Sequence, residues 1–183
     1  MLSLLRLTQP LILCFCLSMC SAYADAQIKI EKLVTEKYEQ SIHVSCEVSY
    51  YLHDKVKEAL ANGIMMSFVI DLELIENTPN WFNQVQARYQ KIFSIKYHAL
   101  SKQFVVSMNG EDRSYPDLFS VFYQQTRLCD FRIGPILPAQ ISDAVYLRAK
   151  VRLLTEVLPL PLRVKSYLSN DWRPSSGWTV WPM

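Results

Sequence analysis

Residues 63–75 read GIMMSFVIDLELI, and this stretch decides the fold. Apolar side chains recur at every second position, at Ile64, Met66, Phe68, Ile70, Leu72 and Leu74. Polar side chains stand between them, at Ser67, Asp71 and Glu73. Because successive side chains of a strand point to opposite faces of a sheet, the pattern predicts a long strand with one buried face.

The same alternation continues along most of the chain. It is found in residues 42–52, 85–97, 102–108 and 143–155, and we also expect strands in residues 27–34 and 129–134. A short connection at residues 99–101 joins two of these stretches into a hairpin. Asn109-Gly110 marks a tight turn at the far end of that hairpin, since both residues accept a positive φ.

Helical signals interrupt the strands at two places. Residues 54–63, DKVKEALANG, offer Asp54 as an N-cap and Gly63 as the left-handed residue at the helix end. Residues 114–128 offer Ser114 near a cap and Pro116 in the first turn. Many alternating strands with two short helices predict an all-β fold, an antiparallel immunoglobulin-like β-sandwich formed by one domain over residues 25–183.

The first 24 residues have the form of a signal peptide. A short basic start with Arg6 precedes an apolar run from Leu11 to Cys20, and Ala22-Tyr23-Ala24 offers a cleavage site. The run is shorter than the roughly 20 apolar residues of a membrane span. We expect an exported, periplasmic protein that begins at Asp25 and has no transmembrane span. The alternative is a lipid anchor on Cys20, which follows a Leu17-Ser18-Met19 box.

Composition and motifs exclude several classes of function. The net charge of +2 gives no support for nucleic-acid binding, and four glycines argue against a phosphate-binding loop. The histidines His43, His53 and His98 stand in no metal or nucleophile motif. We therefore expect no enzyme, no metal and no cofactor. The alternative is a periplasmic enzyme in which His43 or His98 meets a carboxylate of perturbed pKa in a pocket.

Two cysteines, Cys46 and Cys129, remain after the signal peptide. An oxidising compartment allows them to form a disulfide. Cysteine is also among the most often buried residues, so two separate buried thiols are the other interpretation. The sequence leaves both open.

A row of basic side chains, Arg148, Lys150 and Arg152, lies on the polar face of one predicted strand. Such a row can bind an acidic partner or an anionic lipid. We favour a solvated face that pairs across the sheet with Asp71 and Glu73, because charged strand faces are common.

The C-terminal segment, residues 158–183, is rich in proline and tryptophan. Pro159 and Pro161 cannot donate hydrogen bonds to a sheet, so we expect the start of this segment to be extended and outside the sheet. Trp172, Trp178 and Trp181 suit either a binding platform or a plug that closes the end of the sandwich, and the plug is favoured.

A family resemblance follows from three quoted stretches: FSIKYHALSKQFVVS at 93–107, SYPDLFSVFYQQ at 114–125 and LPLPLRVKSYLSNDWRPSSGWTVWP at 158–182. Together they resemble an uncharacterised family of proteobacterial exported proteins, domain of unknown function 4390. The resemblance implies no activity or cofactor. It implies an envelope partner, because genes of the family often lie near that of a membrane sensor histidine kinase. Cys46 and Cys129 depart from the family, so the resemblance implies no disulfide.

The functional expectation is an exported, non-catalytic binding or regulatory module of the bacterial envelope, acting with a membrane protein such as a sensor kinase. Recognition would use the C-terminal face, with Pro159, Pro161, Trp172, Trp178 and Trp181, or an exposed sheet edge. The alternatives are the periplasmic enzyme and a lipid-anchored or outer-membrane-associated protein.

Overall fold

The computed structural model describes residues 28–38, 41–77, 83–125, 129–134 and 145–182. The predicted signal peptide and the predicted anchor at Cys20 lie outside these residues. The described strands are β1 (Ile28–Tyr38), β2 (Ser41–Tyr50), β3 (Met66–Glu76), β4 (Gln84–His98), β5 (Gln103–Met108), β6 (Glu111–Tyr115), β7 (Cys129–Ile133), β8 (Val145–Leu153) and β9 (Thr179–Pro182). The described helices are α1 (Asp54–Ala61), α2 (Leu118–Gln125) and α3 (Leu160–Leu168), with 3-10 turns at Thr155–Val157 and Asn170–Trp172.

The strands form two antiparallel sheets. One has the order β1-β2-β7 and the other the order β6-β5-β4-β3-β8-β9. Strand β3 lies inside the larger sheet, where Phe68 stands opposite Phe93 of β4 and Leu153 of β8. The quoted stretch thus forms an inner strand of the larger sheet. It was expected to have one buried face, but both faces are buried. Arginine side chains of β4 and β8 lie over Asp71 and Glu73 on the outer face.

One hydrophobic core joins the facing surfaces of the two sheets. Val44, Cys46 and Val48 of β2 share it with Phe68 and Ile70 of β3. The fold class expected from the sequence, an antiparallel immunoglobulin-like β-sandwich, is confirmed at the level of two packed antiparallel sheets. Burial of alternate apolar side chains on both inner faces stabilises this arrangement.

Helix α1 caps one end of the larger sheet, and its N-cap differs from the predicted one. The ring Nδ1 of His53, rather than the carboxylate of Asp54, accepts a hydrogen bond from the backbone N–H of Lys55 at 3.3 Å. His53 has the extended backbone of an N-cap, with ψ 147°, so Asp54 is already inside the helix. Gly63 follows the helix with φ +80°, in the left-handed conformation expected of it.

Helix α2 begins later than predicted, because a further strand precedes it. Ser114, expected near the helix cap, lies in β6 opposite Val105. The carboxylate of Asp117 caps the helix instead, accepting from the backbone N–H of Ser120 at 2.7 Å. The turn between β5 and β6 is formed at Asn109 and Gly110, which have φ values of 52° and 83°.

The C-terminal segment departs most from the prediction. An extended segment was expected after Leu158, but helix α3 begins at Leu160 with Pro159 as its N-cap and Pro161 in its first turn. Proline is tolerated there because the first N–H groups of a helix have no partner inside the helix. The chain then returns to the sheet as β9, which pairs with β8. The fold therefore has three described helices and not two.

Candidate interaction surface

The three tryptophans of the C-terminal segment do not share one surface. Trp172 is 6% exposed and belongs to the core, and Trp181 on β9 is half-buried against it. Trp178 is 41% exposed and lies against the guanidinium of Arg148, 4.4 Å from the ring centre. Arg148 extends from the face of β8 that points away from the core, since its neighbour Leu147 points inward. A single aromatic platform is therefore not formed.

Two side chains of the basic row of β8, Arg148 and Arg152, are paired across the larger sheet, and the third, Lys150, lies over the ring of Trp178 at 5.8 Å. Glu73 is 2% exposed, and its carboxylate accepts from the Nε of Arg88 and the Nε of Arg148, each at 2.7 Å. Asp71 is 6% exposed and accepts from Gln90 at 2.6 Å. Arg152 contacts the same carboxylate at 3.4 Å. The expected pairing is confirmed, and this network is part of the sheet's structure.

Helix α3 carries its apolar side chains on the side that faces solvent. Leu160, Val164, Tyr167 and Leu168 are 70%, 56%, 65% and 82% exposed, and we call them the α3 stripe. Ser166, on the opposite side, is fully buried, and its hydroxyl donates to the carbonyl of Arg163 at 2.7 Å. The stripe exposes on the order of 500 Å² of side chain, near the upper end for a typical monomer.

Basic side chains flank the α3 stripe. Lys165 lies on one side of it and Arg163, half-buried, on the other, where its Nη2 donates to the carbonyl of Leu158 at 3.1 Å. The guanidinium of Arg173 stacks over the ring of Tyr167 at 5.4 Å and donates to the carbonyl of Ser166.

The flank of α3 that carries Lys165 and Leu168 forms a groove with α1. This α1–α3 groove has a volume of about 550 Å³. Apolar side chains line it from both helices and from the core, namely Ala59, Ile64, Leu162, Leu168 and Trp172. Polar lining comes chiefly from Lys55, Glu58 and Lys165. A concave apolar surface with a few charged side chains at its margin has the form of a ligand or peptide site.

An ion pair closes one end of the groove. The Nζ of Lys55 donates to the carboxylate of Asp171 at 2.7 Å, which joins α1 to the 3-10 turn after α3. This hydrogen bond, followed by that to Ser169, lowers the pKa of the Asp171 carboxyl below its usual range. The Nε2 of His53 lies 3.8 Å from the same carboxylate. The pair thus links α1 to the turn that follows α3.

The histidines remain apart. His53 has one ring nitrogen in the cap of α1 and the other beside Asp171. His43 packs on the ring of Tyr38 at 4.8 Å, and His98 ends β4 opposite Gln103. Within the described residues, no group of three or more histidine, cysteine or acidic side chains is arranged to hold a metal ion.

Cys46 takes part in a disulfide. The register of the smaller sheet pairs Cys46 on β2 with Cys129 on β7. The described part of the chain includes the backbone of Cys129 but not its side chain, so a bridge between these two residues stays a prediction.

Sequence reasoning missed the α3 stripe, although its spacing carried a signal. Positions 160, 164, 167 and 168 follow the helical spacing i, i+4, i+7, i+8. The alternating leucines and prolines of residues 158–162 predicted an extended segment, so the helical spacing was not recognised. Of the expected binding residues, Pro159 and Pro161 are exposed beside the stripe, whereas Trp172 lines the groove and Trp178 lies on the outer sheet face.

The fold and this surface define a small β-sandwich domain with a helical C-terminal segment that carries an exposed apolar stripe and an adjacent groove. The chain belongs to the family described as domain of unknown function (DUF4390), whose model matches residues 25–182. No curated protein and no solved structure matches the chain. In the part of the chain that the structure describes, no helix is long and apolar enough to cross a membrane.

Proposed function

We propose that the protein is an exported, non-catalytic binding or regulatory module of the bacterial envelope. It engages a membrane protein, and the family resemblance suggests a membrane sensor histidine kinase as that protein. Export is supported by the family match, which begins at residue 25, directly after the expected cleavage site at Ala24. The periplasm is the compartment that this order of segments favours.

The observation that carries the proposal is the α1–α3 groove. Its volume of about 550 Å³ lies within the range of sites that take a small molecule or a short peptide segment. The indole of Trp172 and the side chain of Leu162 give it an apolar floor. A helix or extended segment laid between two helices buries apolar side chains against such a floor, as in helix-in-groove recognition.

Charge at the margin of the groove favours a partner segment with an acidic residue. Lys55 and Lys165 line the groove together with one acid, Glu58. Lys55 is already bonded to Asp171, which leaves Lys165 as the cation best positioned to bind a carboxylate of the partner. Pro159 and Pro161 extend the apolar surface at the start of α3 and keep that turn rigid.

Site-specific photocrosslinking in intact cells tests this function. A photoreactive residue replaces Asn62, which lines the groove, and the same residue replaces Lys37 on β1 as the control, since both side chains are exposed. We expect the Asn62 position to crosslink to one membrane protein, identified by mass spectrometry after purification of the adduct. An identical pattern from both positions, or no adduct at Asn62, would contradict the proposal.

The location is tested separately, by cell fractionation and by the mass of the mature chain. A periplasmic protein that begins at Asp25 is the expected result, since Ala24 ends the small–x–small cleavage motif. A chain that begins at Cys20 and carries a lipid would replace the periplasmic location with an anchored one.

A further inference from the structure

We propose that the α3 stripe docks on the surface of an anionic lipid membrane. This goes beyond the proposed function, which uses the groove on the neighbouring flank of the same helix. Leu168 belongs to the stripe and also lines the groove, whereas Leu160 and Val164 do not line it. The stripe can therefore be tested separately from the groove at Val164.

The orientation of α3 is the first reason. A helix advances about 100° per residue, so Leu160, Val164 and Leu168 lie within a sector about 80° wide. The middle of that sector faces directly away from the side on which Leu162 and the buried Ser166 meet the domain. Surface helices of soluble domains normally turn their apolar side inward. Here the most exposed side of the helix is an apolar one, which is the arrangement of a helix that lies in a membrane interface.

The charges around the stripe are the second reason. Residues 158–168 contain two basic residues, Arg163 and Lys165, and no acid. The acids that flank α3 in the sequence are already paired, Glu156 with Arg152 at 3.5 Å and Asp171 with Lys55 at 2.7 Å. Glu58 of α1 lines the groove with Lys165. The exposed Lys165 can lay its stem in the hydrocarbon boundary while its charge reaches a lipid phosphate. Arg163, held by the Leu158 carbonyl, adds positive charge beside the stripe. This complementarity favours anionic lipid over the surface of a second protein.

An exposed tyrosine in the stripe also suits the boundary between the hydrocarbon and the headgroups of a bilayer. Tyr167 is 65% exposed, and its ring carries the guanidinium of Arg173 at 5.4 Å. Tyrosine is enriched where a protein crosses from hydrocarbon to headgroups, because its ring is apolar and its hydroxyl is polar. The stacked arginine adds a cation at the level at which lipid phosphates lie.

Two further exposed side chains lie at the same end of the larger sheet. β8 ends at Leu153 before α3, and the turn of the β4–β5 hairpin lies at this end, since Phe68 pairs with both Phe93 and Leu153. Leu100 at the tip of that hairpin is fully exposed, and Met65, just before β3, is 47% exposed. They extend the apolar surface that a bilayer would cover.

Vesicle sedimentation with the purified mature protein tests the inference. One set of vesicles contains phosphatidylglycerol and phosphatidylethanolamine, and the other contains phosphatidylcholine alone. We compare the wild-type protein with Val164→Asp, which adds a charge to the stripe, and with Val180→Asp as the control. Val164 and Val180 are 56% and 55% exposed, so both variants make the same change at equally exposed sites with the same net charge.

We expect the wild type and Val180→Asp to bind the phosphatidylglycerol vesicles and to bind phosphatidylcholine much more weakly. Val164→Asp should lower the partition coefficient by at least about tenfold, because a carboxylate at the lipid interface is unfavourable and repels anionic headgroups. Leu100→Ser, which removes a side chain with no packing to lose, should weaken binding in the same assay. Its effect checks the inference if Val164→Asp fails to fold.

Three results would overturn the inference: no sedimentation with phosphatidylglycerol vesicles, equal binding of Val164→Asp and Val180→Asp, or equal binding to both lipid compositions. A photoreactive residue at Val164 that crosslinks only to a protein would assign the stripe to a protein partner instead. The Asn62 and Lys37 crosslinks are measured separately and decide the groove's function, whether or not the stripe binds lipid.

Discussion

Replacing Trp172 by alanine tests whether the C-terminal segment is a structural part of the domain. The indole is 6% exposed, belongs to the core and also lines the α1–α3 groove. The 3-10 turn that carries it is tied to α1 by the Lys55–Asp171 ion pair. Trp178 is the matched control, because it is 41% exposed and contacts chiefly the guanidinium of Arg148.

The expected magnitudes follow from burial. A buried tryptophan removes about 200 Å² from water, worth about 5 kcal/mol at roughly 25 cal/mol per Å². Alanine at position 172 would open the site into the groove, where water enters and lessens the cavity penalty. We therefore expect Trp172→Ala to lower the free energy of unfolding by about 3 kcal/mol. Trp178→Ala loses two exposed cation–π contacts, with Arg148 and Lys150, and partial burial, together about 1 kcal/mol.

Urea unfolding followed by far-ultraviolet circular dichroism measures the difference, since removal of a tryptophan changes the fluorescence itself. With an unfolding slope of about 2 kcal/mol per molar urea, Trp172→Ala should lower the midpoint by about 1.5 M and Trp178→Ala by about 0.5 M. Equal midpoints for the two variants would refute the reasoning, because Trp172 would then contribute no more than an exposed residue.

Three other predictions concern the sheets. Glu73→Gln should lower the unfolding free energy by about 3 kcal/mol, because the buried Glu73 carboxylate neutralises two arginines. Glu111→Gln, in an exposed ion pair, should change it by less than about 1 kcal/mol. Equal urea midpoints for the two variants would contradict this prediction. Burial without a hydrogen-bond partner raises the pKa of the Tyr50 hydroxyl. The stability tied to the neutral phenol is therefore present below about pH 10 and lost as the pH rises, so the melting temperature should fall at alkaline pH. Tyr50→Phe should make this fall less steep, and an unchanged slope would contradict the prediction. A disulfide between Cys46 and Cys129 should appear in peptide mass spectra of the non-reduced, exported protein. It should add up to about 4 kcal/mol to the free energy of unfolding. Free thiols at both positions would refute the bridge.

The sandwich was predictable from the sequence because period-2 alternation directly reports a half-buried strand. β8 alternates over its whole length, and the structure pairs it with β3, apolar side inward. β3 alternates less strictly, because Val69 and Ile75 are apolar on the outer face, and both of its faces are buried. Strand β6, Glu111–Tyr115, was missed because its residues are polar and its position at the sheet edge requires no buried face. Strand β9 was missed because four residues are too few to establish a period.

The candidate surface was only partly predictable, for a physical reason. The sequence marked Pro159, Pro161 and Trp172 by residue type, and all three lie around α3. The sequence could not show whether Leu160 and Val164 would be buried or exposed, because apolar residues occur in both environments. That distinction depends on where the chain turns after β8, which is set by tertiary packing.

The two outer strands of the larger sheet have a consequence for how partners can bind. β6 at one edge carries Glu111, Asp112 and Arg113, and β9 at the other is four residues long and ends at Pro182. Charges and proline on short outer strands oppose the addition of a further strand by backbone hydrogen bonding. Sheet extension, whether by a partner's peptide or by a second copy growing into a fibre, is thereby discouraged at this sheet. Recognition of a partner by this sheet then relies on side chains, which can be changed one at a time without altering the backbone.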